Sequence, residues 1–229
     1  MHPLVGVLIA YALGSVPAAY LAGRARGIDL RTQGSGNLGA TNTVRVLGPG
    51  IGLAVFAFDM AKGALPVALL PRFTASAIAG EWLGIMYGVA AIIGHVRPLW
   101  LGFSKGGKGV ATACGVFAAL VPVPTAWTLA VFLAAFGASG YVSLGSLAGA
   151  VALPVLVAVT GGGRAPAFAV SVPVALFVFW THRPNIARLR SGEEHRFGRM
   201  GRLSIGASCG AAALVLAVAI MWAMRGGLR

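Results

Sequence analysis

A chain of 229 residues in which 58% are hydrophobic and only 10% are charged is not a water-soluble domain, since such domains carry about 25% charged residues. The mean hydropathy of +0.85 makes lipid the solvent, where only helices or closed barrels satisfy the backbone. The net charge of +13 is gathered between apolar runs rather than on an aromatic-laced soluble face, which argues against nucleic acid and for positive-inside topology with anionic lipid or phosphate chemistry.

The apolar runs are long and lack period-two alternation, so the expected fold is all-α and polytopic. The 34 glycines fit this, because small residues let helix backbones approach closely in a bilayer. The N-terminus, Met1-His2-Pro3, becomes apolar at Leu4 without a basic n-region, so no cleaved signal peptide is expected. Arg24, Arg26 and Arg31 follow the first run and favour an N-terminus outside.

Spans are expected at about 4–23, 50–71 and 80–101. The apolar stretch from Val110 is broken by Pro122 and Pro124, which predicts two short helices at about 110–121 and 125–138. Further spans are expected at about 144–160, 166–181 and 204–224, with a turn at Gly161-Gly162-Gly163-Arg164. Cys114 and Cys209 lie within apolar runs and read as small buried hydrophobes.

With the N-terminus outside, segments 24–46, 97–108 and 182–202 are cytoplasmic and hold thirteen of the eighteen Lys and Arg residues. The last span then puts the C-terminus outside, against the pull of Arg225 and Arg229.

The first cytoplasmic segment contains Gln33-Gly34-Ser35-Gly36-Asn37-Leu38-Gly39-Ala40-Thr41-Asn42, with Arg45 beyond. Its alternating glycines free N–H groups to converge as an anion nest, and a helix beginning near Ala40 adds its positive end. An ordinary flexible glycine loop is the competing reading. The second, Lys105-Gly106-Gly107-Lys108-Gly109 ahead of Val110, also suits a phosphate, although it is not a P-loop. A topology signal is its alternative. His95, before it, reads as a packed or interfacial histidine.

In the third segment, helicity from Pro184 puts Asn185 and Arg188 on one face, with His182 at the entrance. A merely basic juxtamembrane tail competes with that reading. Inside the second span, Asp59 and Lys62 stand at i, i+3 and can pair. Each charge at mid-bilayer costs about 2.5–3.5 kcal/mol, so a structural ion pair is the first reading and a substrate role the second. Glu81 reads as interfacial. The scattered acids and histidines give no metal-ligand spacing, and a His-x4-Asp pair is absent.

Together GSGNLGATN, GGKGVAT and HRPNIARLRSGEE resemble the three signature motifs of the bacterial acyl-phosphate:glycerol-3-phosphate acyltransferases, the PlsY family. GSVPAAYLAGR, DMAKG and GHVRPLWLGFSKGGKG resemble it too, so the likeness runs from about Gly14 to Glu194. The resemblance implies transfer of a fatty acyl group from acyl phosphate to the 1-hydroxyl of sn-glycerol 3-phosphate, giving lysophosphatidic acid and inorganic phosphate, the first acylation of phospholipid synthesis. It implies a seven-helix core with cytoplasmic motifs in the inner membrane. That core occupies 1–202, and 203–229 is an added C-terminal transmembrane helix with a short tail.

By the same resemblance, Ser35, His182 and Asn185 are the catalytic candidates. Gly34, Gly36, Asn37, Gly39, Asn42, Arg45, Lys105, Gly106, Gly107, Lys108, Gly109, Ser143, Arg188 and Glu194 are the substrate-binding ones. The expected partners are glycerol 3-phosphate, a long-chain acyl phosphate and the bilayer, with no nucleic acid, metal or cofactor, and the sequence does not fix the oligomeric state. A transporter of a phosphorylated metabolite is the competing class, but its polar groups would gather near the midplane.

Overall fold

The computed structural model describes residues 1–160 and 165–198. The Gly161–Arg164 turn and the helix expected over 204–224 lie outside the described residues. All regular structure among the described residues is helical, and it falls into two compact units, one within Met1–Leu120 and one beginning at Val121.

In the first unit the opening span is broken. Helix α1 covers Pro3–Gly14 and α2 covers Ala18–Arg24. Pro17 cannot donate a backbone hydrogen bond, so the ladder stops at Ser15. Ser15 Oγ donates to the Tyr11 carbonyl at 2.8 Å, and the Val16 carbonyl accepts from Lys62 Nζ at 2.9 Å and from the Ala18 N–H at 3.1 Å. Broken backbone at membrane depth is tolerated when other groups satisfy it in this way. Helix α3 (Ala40–Leu47) follows the first polar loop; Gly48, at φ +88°, turns the chain into α4 (Pro49–Leu69).

After α5 (Gly80–Val96), the short 3₁₀ turn Leu99–Leu101 and the second polar loop comes α6 (Val110–Leu120). These helices touch through glycines. A Cβ at Gly63 would overlap the Thr112 carbonyl, and one at Gly115 would overlap the Met60 carbonyl, so α4 and α6 meet backbone to backbone. Gly14 and Gly94 do the same for α1 and α5.

The second unit holds α7 (Pro122–Ser139), α8 (Val142–Thr160), α9 (Ala165–Thr181) and α10 (Arg183–Ser191). The region after Val110 is two helices, as expected, but α7 begins at Pro122 and its 18 residues are long enough to cross a membrane. Pro122 and Pro124 both sit in its first turn, where missing N–H groups leave no intrahelical bond unmade. Gly140, at φ +81°, ends α7 and lets α8 pack back along it. Helix α10 bends 54° away from α9.

Among the described residues, five helical stretches are long and apolar enough to span a bilayer, or six if the bent α9–α10 pair is taken as one span. Cys114 lies half-buried in α6.

Candidate active site

The first polar loop is folded around one side chain. Asn42, in the first turn of α3, is 2% exposed. Its Nδ2 donates to the carbonyls of Leu30 (3.3 Å) and Gln33 (3.0 Å), and its Oδ1 accepts the Ser35 N–H at 2.8 Å. The loop is anchored from beneath by Leu30, fully buried beside Ala19, Leu38 and Val55. Gly34 (φ +59°) and Gly36 (φ +67°) take left-handed conformations that a side chain would strain. Arg45 Cδ lies against Gly34, so this half-buried arginine sits over the glycine turn. Ser35 is exposed on the same turn, and Gly39 caps α3.

Beside the loop, Arg31 grips Asp29 at 2.6 Å; that guanidinium hydrogen bond holds the carboxyl down at about 2.

The second loop is pressed onto the end of α5. Gly106 N–H donates to the Val96 carbonyl (3.0 Å) and Gly107 N–H to the His95 carbonyl (3.2 Å). A Cβ at Gly106 would overlap the His95 carbonyl, and one at Gly107 would overlap the imidazole Nε2. Close approach, then, is what requires these two glycines, while Gly109 (φ +83°) turns the chain into α6. Lys105 is exposed and Lys108 half-buried on this loop. Asn37 Nδ2 donates to the Gly106 carbonyl at 3.3 Å, so the two glycine loops stand side by side within the first unit. The α6 N-terminus adds unpaired N–H groups and a positive dipole end.

His95 is 6% exposed, and its Nδ1 lies 3.4 Å from Asp59 Oδ1. The pairing of Asp59 with Lys62 is present at 2.7 Å.

In the second unit, the third motif is built at the α9–α10 bend. His182 is 3% exposed, with Nδ1 2.8 Å from the Val178 carbonyl. A carbonyl can only accept, so Nδ1 carries the hydrogen and Nε2 is the basic nitrogen of the neutral ring. One α10 turn further, Asn185 Nδ2 donates to Glu194 Oε1 at 2.6 Å and Arg188 Nε to Oε2 at 2.7 Å. The shared face thus exists, and a buried glutamate fixes it. Burial of that carboxyl favours its neutral form, but the Asn185 and Arg188 hydrogen bonds outweigh this and hold its pKa below the ordinary glutamate value.

Buried Ser143, at the start of α8, turns its hydroxyl toward the same carboxylate without closing a hydrogen bond of its own. The chain reaches Glu194 through Gly192 (φ +77°) and is pinned beyond it by Phe197 N–H to the Gly140 carbonyl (2.9 Å) and Arg196 Nε to the Ser139 carbonyl (3.0 Å).

Residues 4–192 match the family model described as glycerol-3-phosphate acyltransferase. The chain belongs to that family. A glycerol-3-phosphate acyltransferase of Synechococcus sp. (strain CC9902) is 47% identical over 88% of this chain and 98% of its own. One of Geobacter sulfurreducens is 41% identical over 86% and 98%. Among solved structures, PlsY (YgiH), an integral membrane glycerol 3-phosphate acyltransferase, matches in its glycerol 3-phosphate form with a TM-score of 0.80, at 36% identity over 88% of this chain and 98% of that one. Its lysophosphatidic acid form matches at 0.78. The protein is therefore a multi-pass integral membrane acyltransferase acting on glycerol 3-phosphate.

Two features of the site escaped the sequence. Nothing in the spacing told that His95 would reach Asp59, 36 positions earlier in the chain. The Lys62–Val16 hydrogen bond was missed as well, although Ser15-Val16-Pro17 inside an apolar run signalled a carbonyl in need of a donor.

Proposed function

We propose that the protein transfers a fatty acyl group from acyl phosphate to the 1-hydroxyl of sn-glycerol 3-phosphate, at the cytoplasmic face of the inner membrane. The observation that carries this reading is the pair of glycine loops joined by Asn37 and Gly106, with Arg45 of α3 over the first and Lys105 and Lys108 on the second. The N–H groups of a helix N-terminus, together with the cations, suit phosphate dianions, which both substrates and one product carry.

In the proposed reaction, Gly34, Ser35, Gly36, Asn37 and the Lys105–Gly109 segment hold phosphate, and Asn42 and Gly39 keep the first loop in shape. Arg45 and Lys105 supply charge. His182, Asn185 and Arg188 bind glycerol 3-phosphate, with Glu194 and Ser143 orienting the last two. His182 Nε2 is a fit acceptor for the proton of the 1-hydroxyl; a substrate phosphate oxygen, whose second pKa is near 6, is the other. The hydroxyl oxygen bonds to the acyl carbon, the carbonyl becomes an oxyanion, and the bond to phosphate breaks as phosphate leaves. The donor is already activated, so orientation and oxyanion stabilisation suffice.

Thirteen of the eighteen Lys and Arg residues lie in the three motif-bearing segments. This bias supports an N-terminus outside and motifs inside.

The test is acylation of labelled glycerol 3-phosphate by membranes supplied with palmitoyl phosphate. Lys105→Ala and His182→Ala should each lose activity about a hundredfold or more while the protein still inserts. Turnover at the wild-type rate in either variant removes that residue from the mechanism. No lysophosphatidic acid from the wild type sinks the proposal.

A further inference from the structure

The reaction above makes no direct use of Asp59, Lys62 or His95, three ionisable side chains 2%, 6% and 6% exposed among membrane helices. An ion pair in such surroundings gives little net stability, because desolvating two charges offsets their attraction and apolar replacements are often as stable. The role of this pair therefore lies in what it touches.

Lys62 Nζ bridges Asp59 Oδ1 (2.7 Å) and the Val16 carbonyl at the break of the first span (2.9 Å). His95 Nδ1 faces the same Asp59 oxygen from α5 at 3.4 Å. The opposite edge of the imidazole, at Nε2, lies directly under Gly107, where even a methyl group would not fit. The carbonyls of His95 and Val96 receive the Gly107 and Gly106 N–H groups, and the Gly106 carbonyl receives Asn37.

We propose that Asp59, Lys62 and His95 are positioning residues for the Lys105–Gly109 phosphate loop. The ion pair, tethered at Val16, fixes the Nδ1 edge of His95, and the ring then sets the height and tilt of Gly106 and Gly107. This rests on the assignment of that loop to phosphate binding.

Two variants of the full-length protein test it: Asp59→Leu/Lys62→Met, which removes both charges without orphaning either, and His95→Gln. Thermal unfolding in detergent checks the fold, and steady-state kinetics are read with palmitoyl phosphate and glycerol 3-phosphate. Both variants are expected to fold and to raise KM for at least one phosphate substrate between about ten- and a hundredfold, the scale on which a misplaced binding group acts. The change in kcat should be smaller. Combining the variants should add little, because they act on one loop through one ring.

A wild-type KM in a folded Asp59→Leu/Lys62→Met protein, or additive effects on combination, would overturn the inference and leave the pair as a helix fastener. If the double variant does not fold, His95→Gln decides alone by the same KM criterion. Absence of lysophosphatidic acid from the wild type would overturn the underlying reading instead, and the inference with it.

Discussion

Single side chains decide the shape of both glycine loops and of the third motif. Asn42 satisfies three backbone groups at once. Asn42→Ala leaves those groups without their partner, at about 1–3 kcal/mol for each group left unsatisfied. The expected result is a lower unfolding temperature in detergent with loss of acylation. Asn42→Asp, which keeps the acceptor for Ser35 but loses both donors, should recover only part of either.

Glu194 plays the same part in the second unit. Its folded pKa lies below its ordinary value, so its contribution to stability is present above the ordinary glutamate range and is lost as pH falls through the lowered value. Thermal unfolding followed from neutral to acid pH should show that loss in the wild type. Glu194→Gln should be less stable at neutral pH and lack this acid-side component. An unchanged acid profile in Glu194→Gln would remove the carboxylate from the role given to it.

At the scale of elements, helix contacts depend on glycines that no side chain can replace. Gly63→Ala and Gly115→Ala each force α4 and α6 apart, at about 1–3 kcal/mol as for other overpacked interiors. Gly80→Ala, at the start of α5 with open space around it, is the control expected to match the wild type. Unfolding temperatures of the three variants separate these outcomes.

Helix existence was legible because apolar length is a one-dimensional signal, and the start of α3 near Ala40 could be read from its glycine-rich approach. The start of α7 was not, since a proline inside an apolar run marks a break or a first turn equally well, and only the fold chooses. The Asp59–Lys62 pair was readable at i, i+3 spacing. Its contact with His95 joins α4 to α5, and Asn37 joins loops 69 positions apart. Such pairings are set by tertiary packing, which periodicity does not encode.

For the whole molecule, charge bias predicts which loops face which side. A membrane-impermeant thiol reagent should label single cysteines placed at Arg26, Phe103 and Arg190 only in inside-out vesicles, and one at Ser76 only in right-side-out vesicles. The reverse pattern would invert the proposed topology. The family and the helical fold hold independently of that orientation, because residues 4–192 match the family model and the PlsY structures cover 88% of the chain.

What distinguishes the proposed chemistry from other acylations of glycerol 3-phosphate is its donor. Purified protein given palmitoyl phosphate and glycerol 3-phosphate should release inorganic phosphate and lysophosphatidic acid in equal amounts, and palmitoyl-CoA should not replace the donor. Lysophosphatidic acid formed from palmitoyl-CoA, or formed without matching phosphate, would contradict the account.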